Sequence, residues 1–367
     1  MTEEGARPEA LDAAPKESGD LPIATPRRFL PRLFWFERVA LAMLLATVLS
    51  LWLRGRPVDS AAFLYIAKVV AKRLPGLLLA GLLCQLAAAA WRREVRSYLR
   101  AAGSLQSLLL LARAWLGLAT VTFAYTYLKV SVPLLHERLF DGTLERLDRA
   151  LHLGFSPTVF AVELVGGTVL APLLDIYYLL WLTTILLFQS ATFWSVSLPR
   201  RRNFLLACGL LWFAGGWVYV AFPALGPCYA TPEVYAAVRS ELPNASALQA
   251  RLRRNHQQVV ASRDGRRRDI QPLLAVAAMP SLHVGGHWLL ALWARRHARR
   301  LFLPLALATG LTFLGSLVTG WHWAVDGYAG MLLAWAAVAL ADRWEPVPAD
   351  ATTATVEAPP EIAGAPA

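Results

Sequence analysis

Charge is scarce in this chain. Only 17% of its 367 residues are charged, where soluble domains carry about 25%. In contrast, 56% are hydrophobic, and the mean hydropathy is +0.44. That balance excludes an ordinary soluble domain. Cysteine is rare as well: Cys84, Cys208 and Cys228 have neither paired nor metal-type spacing, so no disulfide framework or cysteine-based metal site is expected. Cys84 and Cys208 fall inside apolar runs and read as packing residues. The first apolar run follows Arg27, Arg28 and Arg32 and lacks a small-residue cleavage site, so it reads as a retained span, not a cleaved leader. No internal repeat is visible. Acidic residues are the minority charge, 25 against 36 Lys and Arg, for a net +11. Such a balance often marks nucleic-acid binding. Here the Arg residues sit in short loops between apolar runs, where membrane topology accounts for them, and no nucleic-acid partner is expected.

What the chain has instead is apolar blocks, at 39–53, 75–91, 104–128, 169–194, 204–222, 279–294, 301–319 and 323–341. A spanning helix needs roughly 20 largely apolar residues, and about 17 can suffice. These blocks lack the polar stripe of a soluble helix. The expectation is an all-α polytopic membrane bundle of about eight spans. Residues 1–30 and 345–367, rich in Pro, Ala and Glu, read as disordered tails, because neither can bury enough apolar surface to offset its ordering entropy. Two N-terminal spans occupy 31–103, and a six-span core occupies 104–344.

Arg92, Arg93, Arg96 and Arg100, then Arg200, Arg201 and Arg202, then Arg295, Arg296, Arg299 and Arg300 form three basic loops. By the positive-inside rule these are cytoplasmic. Counting spans puts both termini inside, and 129–168, 223–280 and the turn at Gly320 outside. Arg54, Arg56, Lys68, Lys72 and Arg73 weigh against the count, since 54–73 also falls outside. Within 129–168, Leu139, Leu144, Leu147 and Leu151 share one helical face, with Asp141, Glu145, Asp148 and Arg149 elsewhere. That pattern suits a helix lying in the membrane interface or a surface helix packed on the spans.

Of seven histidines, His136, His152, His256 and His297 lie in loops or interfacial segments. His283, His287 and His322 lie at the edges of apolar runs, where ionisable residues are costly and tend to be functional. In Met279–Trp288 (MPSLHVGGHW), Ser281 reads as a helix N-cap, which puts His283 in a first turn whose N–H groups and dipole favour phosphate. In Gly320–Gly330 (GWHWAVDGYAG), Asp326 follows His322 by four residues, on one helical face. A carboxylate beside an imidazole fixes its tautomer and stabilises its charged form. Read structurally, the first histidine is a local cap and the second pair a buried ion pair. The two histidines are 39 residues apart, an interval holding two antiparallel spans, so both fall at one membrane face. His283 and His287 at i,i+4 could ligate zinc with His322 and Asp326, although Gly285–Gly286 beside His287 reads as close helix packing.

The pair PSLH and HWAVD resembles the second and third motifs of the type-2 phosphatidic acid phosphatase superfamily, closest to its lipid phosphotransferase branch, which includes inositol phosphorylceramide synthases. The resemblance covers roughly 105–342, and Pro223–Tyr235 (PALGPCYATPEVY) is similar to that branch's first-motif segment. It implies a six-helix core, with His322 as nucleophile, Asp326 as its orienter, and His283 as general acid and then base, without metal or cofactor. The implied partners are a phospholipid donor and a lipid or polyol acceptor. Ser281, Gly226, Pro227 and Tyr229 are then candidate substrate contacts. The sequence departs from the superfamily's phosphatases in its cations. Between Gly215 and Pro232 there is neither Lys nor Arg, and Leu317 beside Ser316 stands where the third-motif Arg would be. Such cations clamp phosphate oxygens, so their loss suits a phosphodiester donor. Arg263, Arg266, Arg267 or Arg268 could replace them, or form a headgroup-binding loop. Asp175, inside an apolar run, could meet the substrate or pair with Arg113.

The reading is a membrane lipid phosphotransferase working through a phosphohistidine, in the inner membrane of a bacterium with its site on the extracytoplasmic side. The alternatives are a lipid phosphate phosphatase and, in another class, a transporter or lipid-binding membrane protein.

Overall fold

A computed structural model describes residues 33–56, 60–195, 197–264 and 270–348. The described residues form thirteen α-helices. In chain order they are α1 (Trp35–Leu53), α2 (Ser60–Trp91), α3 (Val95–Ala102), α4 (Leu105–Leu135), α5 (Asp141–Leu151), α6 (Pro157–Val165), α7 (Leu170–Phe193), α8 (Leu198–Ala221), α9 (Pro227–Ala230), α10 (Pro243–Ala261), α11 (Leu282–His297), α12 (Phe302–Val318) and α13 (Ala324–Trp344). Seven of them, α1, α2, α4, α7, α8, α12 and α13, are long and apolar enough to cross a membrane, so the chain is a polytopic helical membrane protein.

The expected eighth span, 279–294, is α11, shifted three residues along the chain. Met279–Ser281 runs into the helix without joining it, and the helix continues to His297, so α11 keeps 16 residues, about 24 Å at 1.5 Å per residue. That falls short of the ~30 Å hydrocarbon layer. Nearly every residue from Leu282 to Ala294 is buried, because α7, α8, α12 and α13 surround the helix. A helix enclosed by protein has no need to match the bilayer. Its contact with α13 is backbone on backbone. A Cβ on Gly285 would lie 2.7 Å from the Gly330 carbonyl oxygen, and one on Gly330 would lie 2.2 Å from that of Ser281. Small residues that let helices touch are the usual means of association where lipid removes the hydrophobic drive.

The two ends of the bundle differ in charge chemistry. At one end, Asn203 in α8 accepts from the Trp293 indole at 2.9 Å and donates to Asp342 and to the Glu345 carbonyl, both at 3.0 Å. Arg202 pairs with Glu345 at 2.6 Å, and Arg296 pairs with Asp342 at 3.0 Å. Glu345, the first residue of the expected C-terminal tail, is therefore buried and held. The rest of both tails lies outside the described residues, apart from Pro346–Pro348. Arg113 bonds Glu37 through two nitrogens, at 2.7 and 2.6 Å, so it pairs with α1 and not with Asp175. At the other end, Arg56 donates to the carbonyls of Ser262 and Arg263, which puts 54–56 beside the long 223–280 segment, as span counting required. Cys208 is buried, but Cys84 is exposed on α2 and is not a packing residue.

Gly330→Ala is expected to cost about 1–3 kcal/mol through overpacking, read as a lower thermal midpoint in detergent. Gly310→Ala, which meets nothing within 4 Å, is the control and should be neutral or stabilising.

Candidate active site

Three short segments build the site. The first is the start of α11, where the Ser281 hydroxyl accepts from Val284 N–H at 3.3 Å as the N-cap. The second is the turn before α13, where Asp326 accepts from Trp323 N–H at 2.9 Å. The third is 223–228, which splints the other two. Ala278 N–H donates to the Ala224 carbonyl, and Cys228 N–H to the Gly320 carbonyl, both at 2.9 Å. Gly226 sits at φ +103°, where a Cβ would lie 2.5 Å from the Trp321 carbonyl oxygen. Only glycine fits both the dihedral and the gap. Ser281 N–H donates to the Asp326 carbonyl at 2.8 Å, which links the two helix starts directly.

This framework brings His283 Nδ1 to 2.8 Å from His322 Nε2. His322 Nδ1 lies 2.8 Å from the Ala278 carbonyl oxygen and 3.6 Å from Asp326 Oδ2. A carbonyl only accepts, so His322 carries its proton on Nδ1 and turns its Nε2 lone pair to His283, which donates from Nδ1. The orienting group nearest His322 is thus a backbone carbonyl that the sequence reading did not include. Asp326 is buried, 3.6 Å exceeds hydrogen-bond length, and its Oδ1 has no partner. Such looseness is common in unliganded sites and tightens with substrate. The His283 ring packs edge-on against Trp181, with ring centroids 4.1 Å apart, and tilted against Tyr178 at 5.1 Å. His287 lies a turn deeper, its Nδ1 3.3 Å from the His283 carbonyl oxygen and 3.4 Å from Thr312 Oγ1. Among the described residues no three His, Cys, Asp or Glu side chains are grouped as a metal ion requires.

Several expected substrate contacts are engaged in building the frame. Asp175 accepts from Asn244 N–H, Ala245 N–H and the Asn244 amide at 2.8–3.0 Å. It caps the start of α10, where a carboxylate satisfies free N–H groups and meets the helix dipole. The Gly226 N–H donates to Asp141 at 2.7 Å, Pro227 opens α9, and the Tyr229 hydroxyl donates to the Gln249 carbonyl at 3.0 Å. Arg263 donates to the Pro133 carbonyl and lies 3.6 Å from Glu137, away from the histidines. Arg266, Arg267 and Arg268 lie outside the described residues. Leu317 is buried in an apolar cluster.

The polar edge of α5, not its leucine face, turns inward. Asp141, Leu144 and Asp148 are buried, while Leu139, Leu147 and Leu151 are exposed. Asp141 accepts from Leu225 and Gly226 N–H, and Asp148 from Ala324 and Val325 N–H at 3.2 and 2.9 Å. Buried backbone donors need acceptors, and the two carboxylates supply them, which leaves the leucines for lipid. Asp148 thereby fixes the first turn of α13 beside His322. Burial holds both carboxyls above their ordinary pKa, against the lowering effect of those N–H donors. A raised folded-state value means that stability from these groups is present below the unfolded pKa and lost as pH rises through the folded one. The wild-type thermal midpoint should therefore gain on that of an Asp141→Asn, Asp148→Asn double variant as pH is lowered from neutrality to the ordinary carboxylate range of about 4. A pH-independent difference would contradict the assignment.

A family model described as the PAP2 superfamily matches residues 142–340. No curated protein and no solved structure matches the chain. Over more than half its length, including the helices that carry His283, His322 and Asp326, the chain belongs to the PAP2 superfamily.

Proposed function

We propose that this chain is a membrane lipid phosphotransferase that moves a phosphorylated headgroup, inositol phosphate being one candidate, from a phospholipid to a lipid or polyol hydroxyl through a phosphohistidine on His322. One observation carries the reading: His322 has its Nδ1 proton held by the Ala278 carbonyl and its Nε2 lone pair turned to a second histidine 2.8 Å away. A neutral imidazole fixed in this way is a nucleophile. Membership of a superfamily of phosphatases and phosphotransferases supports phosphate-ester chemistry.

In the first half-reaction Nε2 attacks phosphorus. The N–P bond forms as the P–O bond to the donor's lipid oxygen breaks. His283 enters as imidazolium, a form that a bound phosphate anion favours, and its proton goes to that oxygen to release the donor's alcohol. In the second, His283 takes the proton of the acceptor hydroxyl, the acceptor oxygen bonds to phosphorus, and the N–P bond breaks. Asp326 offsets the positive charge of the phosphorylated ring. A phosphorus needs about 3–3.5 Å to each reacting atom before bonding, so substrate entry separates the two imidazoles. The loop charges favour the extracytoplasmic face of a bacterial inner membrane for the site.

The test is transfer by the purified protein from a phospholipid labelled in its headgroup phosphate to a lipid alcohol. Label should appear in the acceptor, and His322→Ala should abolish this. Asp326→Asn should slow it about 10²-fold. That is less than the ~10⁴-fold seen where a triad carboxylate alone holds the tautomer, because the Ala278 carbonyl remains. Acceptor-independent release of inorganic phosphate from a labelled lipid phosphate, with no transfer from the phospholipid, would mean a phosphatase. Lipid flux with neither product would mean a transporter.

A further inference from the structure

The first- and third-motif positions carry no cation, and Arg263 is held at the end of α4. One described cation stands in the helix layer beside the histidine pair. Lys129 on α4 lies over the faces of Tyr219 and Tyr125, at 5.3 and 6.0 Å from their ring centres. Tyr219 is one turn of α8 from Gly215, where a Cβ would lie 2.5 Å from the side chain of Leu282, next to His283. The ammonium makes no hydrogen bond and no ion pair among the described residues. An unpaired cation at this depth is costly and calls for an anion. A second unsatisfied group lies against the histidine pair. The Tyr178 hydroxyl is buried without a partner, and its ring packs on His283 with centroids 5.1 Å apart.

We propose that Lys129, together with the Tyr178 hydroxyl, is the phosphate-binding group of this site, holding the non-bridging oxygens of the substrate while His322 attacks. The assignment rests on the phosphotransfer reading above. It also bears on substrate class. One ammonium and one neutral donor match the single negative charge of a phosphodiester, whereas a phosphomonoester carries about −1.5 to −2 at neutral pH.

The full chain in detergent tests this with orthovanadate, a phosphate analogue, by thermal shift, alongside the transfer assay. Lys129→Met should weaken vanadate binding and lower kcat/KM by about 10²-fold, with Lys129→Arg recovering most of both because it keeps the charge. Tyr178→Phe, which removes one oxygen and no packing, should weaken vanadate roughly tenfold. This variant decides the matter if Lys129→Met does not fold. Lys68→Met, an exposed lysine on α2, should behave as wild type. Wild-type vanadate binding and turnover in Lys129→Met, or unchanged binding in Tyr178→Phe, would overturn the assignment and leave phosphotransfer standing. A wild-type protein that neither binds vanadate nor transfers phosphate would overturn both.

Discussion

The backbones of α11 and α13 touch, and the site depends on that contact. Gly285 and Gly330 remove the side chains that would hold the helices apart, and Ser281 N–H closes the gap by donating to the Asp326 carbonyl at 2.8 Å. Two helix starts 42 residues apart in sequence are thereby fixed as one unit. The 2.8 Å approach of His283 and His322 follows from main-chain contact and owes nothing to flexible side chains. A displacement of about 1 Å between such groups can cost 10²-fold in rate, which gives the glycines a catalytic consequence although neither touches the reacting atoms.

Around that unit the polar groups divide into two kinds. Asp141, Asp148 and Asp175 each accept from backbone N–H groups at the edge of a loop or the start of a helix. They take care of donors that lipid cannot satisfy. His283, His322, Asp326 and Tyr178 lie together, and two of them retain buried atoms without partners, Asp326 Oδ1 and the Tyr178 hydroxyl. The satisfied carboxylates belong to the frame, and within the site the two unsatisfied groups are where a substrate would complete the network.

Much of this was legible in the sequence. The apolar blocks located the spans, and Ser281 announced the N-cap. The two histidine motifs were placed at one face by counting helices alone. What could not be read was which polar residue serves the frame. Asp175 inside an apolar run looks like a substrate contact until α10 is seen to start on it. The leucine stripe of α5 fitted either an interfacial helix or one packed on the spans, and only the long-range backbone donors at Leu225 and Val325 decide which edge turns inward. Ala278 contributes a carbonyl, which no residue type encodes. Lys129 lies some 150 residues before His283, so only tertiary packing brings it near. The missing motif cations were the one available signal that a substitute had to come from elsewhere.

The central claim is that His322 Nε2 bonds to phosphorus. Rapid denaturation of the protein during turnover with a phospholipid donor, followed by mass-spectrometric mapping under conditions that preserve N–P bonds, tests it most directly. The account predicts a phosphorylated-headgroup adduct on the peptide carrying His322, accumulating when acceptor is withheld and discharged when it is added. An adduct on His283, or steady transfer with no adduct on either histidine, would contradict it.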